Sequence, residues 1–368
     1  MSGIQVMAER IAEDMQARLP DQRVTQRRKL SLLVAALLLR RDVNLMELGA
    51  VLPLESDDPH SRYQWIKRVL KNDLIVPDEV MAPYAREVLA KACEGGKQPV
   101  LVIDQSQATQ RHRHEMLMVA VRIDGRALPL AWRVKKTAGG IGFSVQRDLL
   151  EVVASWLPDG VSPVLMGDRF YGSPQLISWC AARGWSWRLR LKKNLMVHDA
   201  EGGEATLQHC FEAGEWLLEN VALTEAKAKT HVAMVHDASH EEPWMIAMSE
   251  RPSSARAFDY GLRWGIESMF SDLKSRGFDL EKSQLRLADR IERLILVLAL
   301  ALYWATSTGM WDRTTNPSTL ENKRQTRPKR YARSLLSLFT RGLRRLLTCI
   351  SNAIPPPHLW SAWKTDSW

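Results

Sequence analysis

PVLVID at residues 99–104 opens the stretch that decides the fold. It is a short apolar run that ends on a carboxylate, Asp104. EMLMVAVRI (115–123) and ALPLAWRV (127–134) follow at short spacing, and DGR (124–126) supplies a tight turn between them. A helix is predicted from about Ser144 to Trp156. The strand VSPVLMGD (161–168) then ends on a second carboxylate, Asp168. A helix from about Pro174 to Arg183 leads into the strand WSWRLRLKK (185–193). Three meandering strands followed by two that alternate with helices predict an α/β fold. Its centre is a mixed five-stranded sheet flanked by helices. Asp104 falls on the first of these strands and Asp168 just after the fourth.

Outward from this core, residues 194–250 break the alternation. Gly202, Gly203 and Gly214 punctuate them, and EWLLENVAL, HVAMVHD and PWMIAMS read as strands. The gap between Asp168 and the next acidic candidate, Glu267, is too long for a simple crossover, which predicts an inserted β-rich subdomain. The core is expected to resume over 251–312, with a helix around Tyr260–Ser275 and a buried one around Arg290–Trp304. The apolar run Leu294–Ala305 is too short to cross a bilayer, so no membrane partner is expected. Residues 1–95 read as a helical domain with helices over Arg28–Arg41, Asn44–Val51 and Ser61–Leu70. The last of these carries Arg62, Lys67, Arg68 and Lys71 beside Tyr63 and Trp65, a composition that suits DNA.

Composition is that of an ordinary globular chain, 45% hydrophobic and 25% charged over 368 residues. Cys93, Cys180, Cys210 and Cys349 are scattered. That argues against a disulfide framework or a zinc site and for a reducing cytoplasm. The net charge of +9 has a location. Residues 322–368 hold ten Lys or Arg against Asp366 alone, so the whole excess lies in the C-terminal segment 313–368. A basic tail on a neutral body fits a phosphate backbone.

The densest chemistry lies in YGLRWGIESMFSDLK (260–274). Tyr260, Arg263, Glu267 and Lys274 are offset by three, seven and fourteen residues, which puts all four on one face of a continuous helix. A phenol, two cations and a carboxylate make a poor core stripe and a good grip on a metal ion beside a phosphate. With Asp104 and Asp168, Glu267 completes the ligand set of a two-metal phosphoryl-transfer site. His112 and His114 read as polar loop residues, because oxygen ligands already account for such a site.

These residues resemble the DDE transposases of bacterial insertion sequences, in the group whose last acidic residue stands in a Y-x2-R-x3-E-x6-K helix. The likeness runs from about Leu30 to Trp304. It implies a ribonuclease-H-like catalytic fold and a site of Asp104, Asp168 and Glu267 binding two Mg2+ or Mn2+ ions. It implies DNA contacts from Tyr260, Arg263, Lys274 and Arg169, the last within D-R-x-Y-G at 168–172. Trp244 corresponds to a tryptophan that stacks on a flipped base during hairpin formation, with Trp216 a weaker rival. Arg188, Arg190, Lys192 and Lys193 alternate along and beyond the fifth strand, where one face could meet DNA. The expected partners are terminal inverted repeats and target DNA, with a homodimer in the synaptic complex and a cytoplasmic, nucleoid-associated location. A ribonuclease-H-like nuclease that cuts without joining, and a silent DNA-binding regulator, are the alternatives.

Overall fold

The computed structural model describes residues 1–109, 111–224, 227–236, 242–317 and 336–366. The chain forms two compact units. One comprises Met1–Pro83, Ala108–His112 and Ser271–Trp368; the other comprises Tyr84–Gln107 and Arg113–Phe270.

The second unit carries the sheet. β1 (Val100–Thr109), β2 (His114–Ile123) and β3 (Arg126–Lys136) are the expected meander. β2 and β3 pair antiparallel down to Ile123 opposite Arg126. Asp124 and Gly125 turn the chain at φ 47° and 79°, the left-handed geometry a two-residue hairpin turn needs. β4 (Val164–Gly167) runs parallel to β1, and β5 (Ser186–Arg190) runs parallel to β4. The intervening helices are α6 (Phe143–Ala154) and α7 (Pro174–Ala182). Ser173 caps α7 by accepting from the Leu176 N–H, with Pro174 in the first turn, where its missing N–H costs nothing. The order of these five is β3-β2-β1-β4-β5, a mixed sheet as expected, with β1 and β4 neighbours.

The insertion is β-rich, as expected, and its strands join the core sheet. β6 (Met196–His198), β7 (Glu204–Thr206), a short helix α8 (Leu207–Glu212), β8 (Leu217–Leu223), β9 (Ala228–Val235) and β10 (Trp244–Met248) follow in the chain. β10 pairs antiparallel with β5, and the order runs on as β10-β9-β8-β6-β7 in one ten-stranded sheet. An exposed β5 edge would leave a row of backbone donors and acceptors unpaired, and the wholly buried β10 covers it. The inserted strands are therefore an extension of the core sheet.

The helical unit holds α1 (Gly3–Arg18), α2 (Val24–Arg40), α3 (Leu45–Val51) and α4 (Pro59–Lys71). α4 begins two residues before the expected Ser61. Asp58 is its cap, accepting from the His60 and Ser61 N–H groups. α5 (Pro77–Ala92) leads towards the sheet. α11 (Ala288–Thr315) is more than twice as long as the apolar run that predicts it. It is long and apolar enough to cross a membrane, but 94% of its most apolar window is buried, as in the core helix of a folded domain. A C-terminal helix, Leu338–Ser351, crosses it closely. A Cβ on Gly342 would lie 1.6 Å from the Ala305 carbonyl oxygen, so only glycine fits.

That last helix packs part of the basic C-terminal segment against the fold. Leu338, Phe339, Leu343 and Leu346 are buried, and Arg341 donates to Asp312 at 2.7 Å. Residues 318–335, with six of the ten C-terminal cations, lie outside the described residues.

Candidate active site

Asp104 and Asp168 meet because of register. β1 and β4 are parallel with Ile103 opposite Gly167, and each aspartate is the next residue along. Asp168 follows directly on the C-terminal end of β4, whereas Asp104 lies in the middle of β1, just past the part that pairs with β4, so β1 runs on beyond the carboxylate that was expected to close it. Asp104 is largely buried and accepts from the Gln105 N–H at 2.8 Å. Asp168 accepts from the Phe170 N–H at 2.8 Å, which turns the chain away behind it.

The Tyr260–Lys274 segment is built differently from the single helix expected. α9 (Ser254–Phe258) passes into a 3₁₀ segment, Asp259–Trp264, before α10 (Gly265–Leu273). A 3₁₀ turn has three residues, so Tyr260 and Arg263 eclipse one another, and Glu267 follows one α-turn on. The stripe survives from Tyr260 to Glu267 by this change of period. The Arg263 guanidinium carbon lies 5.7 Å from the Tyr260 ring centre. Lys274 falls beyond the end of α10, in the helical unit. It pairs with Glu281 at 3.3 Å, and its carbonyl closes the turn by accepting from the Gly277, Phe278 and Asp279 N–H groups.

Arg263 is the hub of the site. One arm of its guanidinium donates to Asp104 at 3.0 Å and the other to Glu267 at 2.5 Å. The arginine is buried, whereas Glu267 is 55% exposed. Burial pushes the Asp104 carboxyl up to about 7; Arg263 pulls it down, and Asp168 and Glu267 push it further up. Tyr260 is pushed up to about 12, chiefly by burial, with Arg263 opposing and Asp168 adding. Tyr171 is raised further, again mainly by burial and then by Asp104 and Asp168. Its hydroxyl is buried without a hydrogen-bond partner among the described residues. Tyr171 is a neighbour of both aspartates to which sequence reasoning gave no role, although D-R-x-Y-G at 168–172 was its signal.

The carboxylates answer for a metal ion by their chemistry. Three acidic side chains, one of them buried and raised towards neutrality, are a hard-oxygen donor set that a divalent cation would stabilise. As the side chains stand, no group of three or more His, Cys, Asp or Glu among the described residues is gathered closely enough to hold one. Arg263 stands between Asp104 and Glu267, ion-paired with both.

Two other expected contacts are placed differently. Trp244 is 2% exposed and packs in a cluster with Ile246, Met248, Ala257 and Tyr260. Its ring stands 5.6 Å from that of Tyr260 and 5.3 Å from that of Trp264. Every residue of β10 is buried, and the Trp244 ring is part of the core in this conformation. The rival, Trp216, is 56% exposed and stacks on Phe211 with ring centres 6.1 Å apart. Arg169 is half exposed and donates to Glu242 at 2.7 Å.

Arg190, one of the alternating cations of β5, faces this region. Burial lowers its pKa and Arg169 lowers it further, while Tyr260 and Glu242 oppose. A cavity of about 300 Å³ opens there, lined by Arg169, Arg190, Lys193, Phe211, Glu242 and Met245 among others. Gly172 is needed for close approach: a Cβ there would lie 2.2 Å from the Arg190 carbonyl oxygen. Arg188 is buried against Glu250 at 3.6 Å and offers no surface.

A transposase DDE domain family matches residues 92–304, more than half of the chain, and the chain belongs to that family. No curated protein matches it. Among solved structures it aligns with Ciona intestinalis endonuclease V, crystallised with a DNA containing an inosine followed by a ribo-adenosine. The two are 12% identical, the alignment covers 59% of this chain and 95% of the other, and the TM-score is 0.26, too low to carry an argument.

Proposed function

We propose that this chain is a cut-and-paste transposase of the Y-x2-R-x3-E-x6-K group with a ribonuclease-H-like catalytic core. In this reading it cuts DNA at the ends of an insertion sequence and joins the freed 3′-hydroxyl to target DNA. The observation that carries it is the convergence of Asp104, Asp168, Tyr260, Arg263 and Glu267 at one end of the sheet, in a chain of the DDE transposase family. Asp104, Asp168 and Glu267 would hold Mg2+ or Mn2+, which supplies charge stabilisation and acidifies a bound water or hydroxyl.

The residues of the chain do the positioning. Arg263 has the planar fork that grips a phosphate through two parallel hydrogen bonds. Substrate phosphate and the two carboxylates therefore compete for the same guanidinium. DNA that takes Arg263 releases Asp104 and Glu267 to act as ligands. The Tyr260 phenol stays protonated at neutral pH and can donate to a phosphate oxygen. Arg169 and Arg190 keep the neighbouring cavity electropositive, which suits the strand flanking the cut. Trp216 is the stacking residue in any hairpin step, since aromatic faces hold unpaired bases. Two copies acting on two ends form the synaptic complex, on DNA in the nucleoid.

The test uses purified protein, Mg2+, and labelled duplexes taken from either side of its own gene, beside a Glu267→Ala variant. Cutting followed by joining to a second DNA, both lost in the variant, is the expected result. Cutting without joining identifies a nuclease. Binding alone, unchanged by the substitution, identifies a regulator.

A further inference from the structure

We infer that Tyr171 is a positioning residue of the carboxylate centre, its phenol donating to Asp104 once Arg263 has been drawn away to a phosphate. The phosphate and the cation beside it rest on the transposase reading; the placement of Tyr171 does not. The turn after β4 sets that placement. The Tyr171 N–H donates to the Asp168 carbonyl at 3.0 Å, which brings the chain back over the strand end. Gly167 leaves the room: a Cβ there would lie 2.7 Å from the Tyr171 Cβ and 3.2 Å from Ile103 Cγ2. The side chain therefore leans on the Ile103–Gly167 rung, the last one before the two aspartates. Phe170 meets the ring edge-on, with centres 5.3 Å apart.

The hydroxyl is the anomaly. Tyr171 is wholly buried, and its Oη has no hydrogen-bond partner among the described residues. A buried hydroxyl without a partner destabilises the state that holds it, and phenylalanine would fill the same space without that cost. A partner in another state accounts for the hydroxyl. The charges that act on it most strongly are Asp104 and then Asp168, with Arg263 opposing them. Burial keeps the proton on the phenol, so it has a proton to donate.

Asp104 becomes that partner when Arg263 leaves. In this structure both of its oxygens are served. Oδ1 accepts from the Gln105 N–H at 2.8 Å, and Oδ2 accepts from Arg263 at 3.0 Å. An arginine that turns to a phosphate strips a largely buried carboxylate of its charged donor. The Arg263 Nε–H, also buried and without an acceptor, goes with the arginine. The phenol stays behind, anchored by its ring. Its hydrogen bond replaces the one lost and fixes which Asp104 oxygen is left to face a cation, as outer donors do at metal centres.

The experiment compares the full chain with Tyr171→Phe, each with and without Arg263→Met, which removes the competing donor. Thermal melting is followed without metal, and Mn2+ binding by titration calorimetry, with Glu267→Ala as the control. With Arg263 in place and no metal, Tyr171→Phe should melt no lower than the unsubstituted chain, because the hydroxyl bonds nothing in that state. It should bind Mn2+ about tenfold more weakly. In the Arg263→Met background the same substitution should lower the melting temperature by a few degrees, because Asp104 then depends on the phenol. If Arg263→Met does not fold, the Mn2+ comparison alone decides. Unchanged Mn2+ affinity would overturn the inference, and so would a lower melting temperature with Arg263 in place, which would make the hydroxyl an ordinary core contact. Mn2+ bound by the unsubstituted chain and by Tyr171→Phe alike, but lost in Glu267→Ala, removes Tyr171 and leaves the carboxylate centre standing. Mn2+ that is not bound at all, or is bound equally by Glu267→Ala, sinks the carboxylate centre and the role of Tyr171 with it.

Discussion

The arginine at the active site and the lysines on α4 carry the same charge in opposite circumstances. Arg263 is buried and its charge is already met by Asp104 and Glu267. Lys67 and Lys71 face outward with no carboxylate on their own helix. A paired, buried cation can be taken by a substrate only when its carboxylates gain another partner. In the proposed reaction that couples phosphate binding to the freeing of Asp104 and Glu267. An unpaired surface cation answers to any phosphate, weakly and with strong dependence on salt. The difference separates a site built for chemistry from a surface built for encounter.

The largest expected effect is on the chemistry side. Asp168→Ala should reduce cleavage by about a thousandfold or more, since charge stabilisation by a bound metal is worth several kcal/mol. Single-turnover cleavage measures it; a loss under tenfold would remove Asp168 from the site. Next come the two tryptophans. Trp244→Ala should destabilise the fold by about 3–5 kcal/mol, as for a large buried aromatic. Trp216→Ala should shift stability by no more than about 0.5 kcal/mol. Denaturant unfolding of the two variants side by side decides whether the sheet extension holds its tryptophans as described.

Arg263→Lys sharpens the comparison at the site itself. A lysine keeps the charge but cannot fork between Asp104 and Glu267, so cleavage should fall by about a hundredfold and not be rescued. Activity near that of the unsubstituted chain would mean that charge alone matters there. The smallest effect is a titration. Asp104 takes up its proton near pH 7 when folded and near 3.8 when unfolded. With the folded value raised, its contribution to stability is fully present below about pH 4 and is lost as pH rises to about 7 and beyond. Without metal, Asp104→Asn should therefore melt a few degrees above the unsubstituted chain at pH 8, with little difference at pH 4. A difference that grows towards low pH would contradict the placement of Asp104.

Much of this was legible in the sequence because strands announce themselves. PVLVID and VSPVLMGD each end on an aspartate, and parallel pairing then brings those aspartates side by side. The Tyr260–Glu267 stripe was also legible, although its mixture of 3₁₀ and α geometry was not, because both periods align residues at short spacings. Lys274 lies past the helix end, where spacing no longer governs direction. The burial of Trp244 and the exposure of Trp216 depend on which strand covers the β5 edge, a long-range pairing that no local pattern encodes. Arg62 read as a DNA contact because composition cannot distinguish a cation that caps carbonyls from one that faces solvent.

The most direct test of the central claim is to let the protein mark its own metal site. Fe2+ in place of Mg2+, with ascorbate and peroxide, generates hydroxyl radicals that cut the polypeptide beside the bound ion. The expected result is three cuts, near Asp104, Asp168 and Glu267, strengthened by end DNA and lost in Glu267→Ala. Cuts elsewhere, or cuts that persist in the variant, would contradict the assignment of these three carboxylates to one catalytic centre.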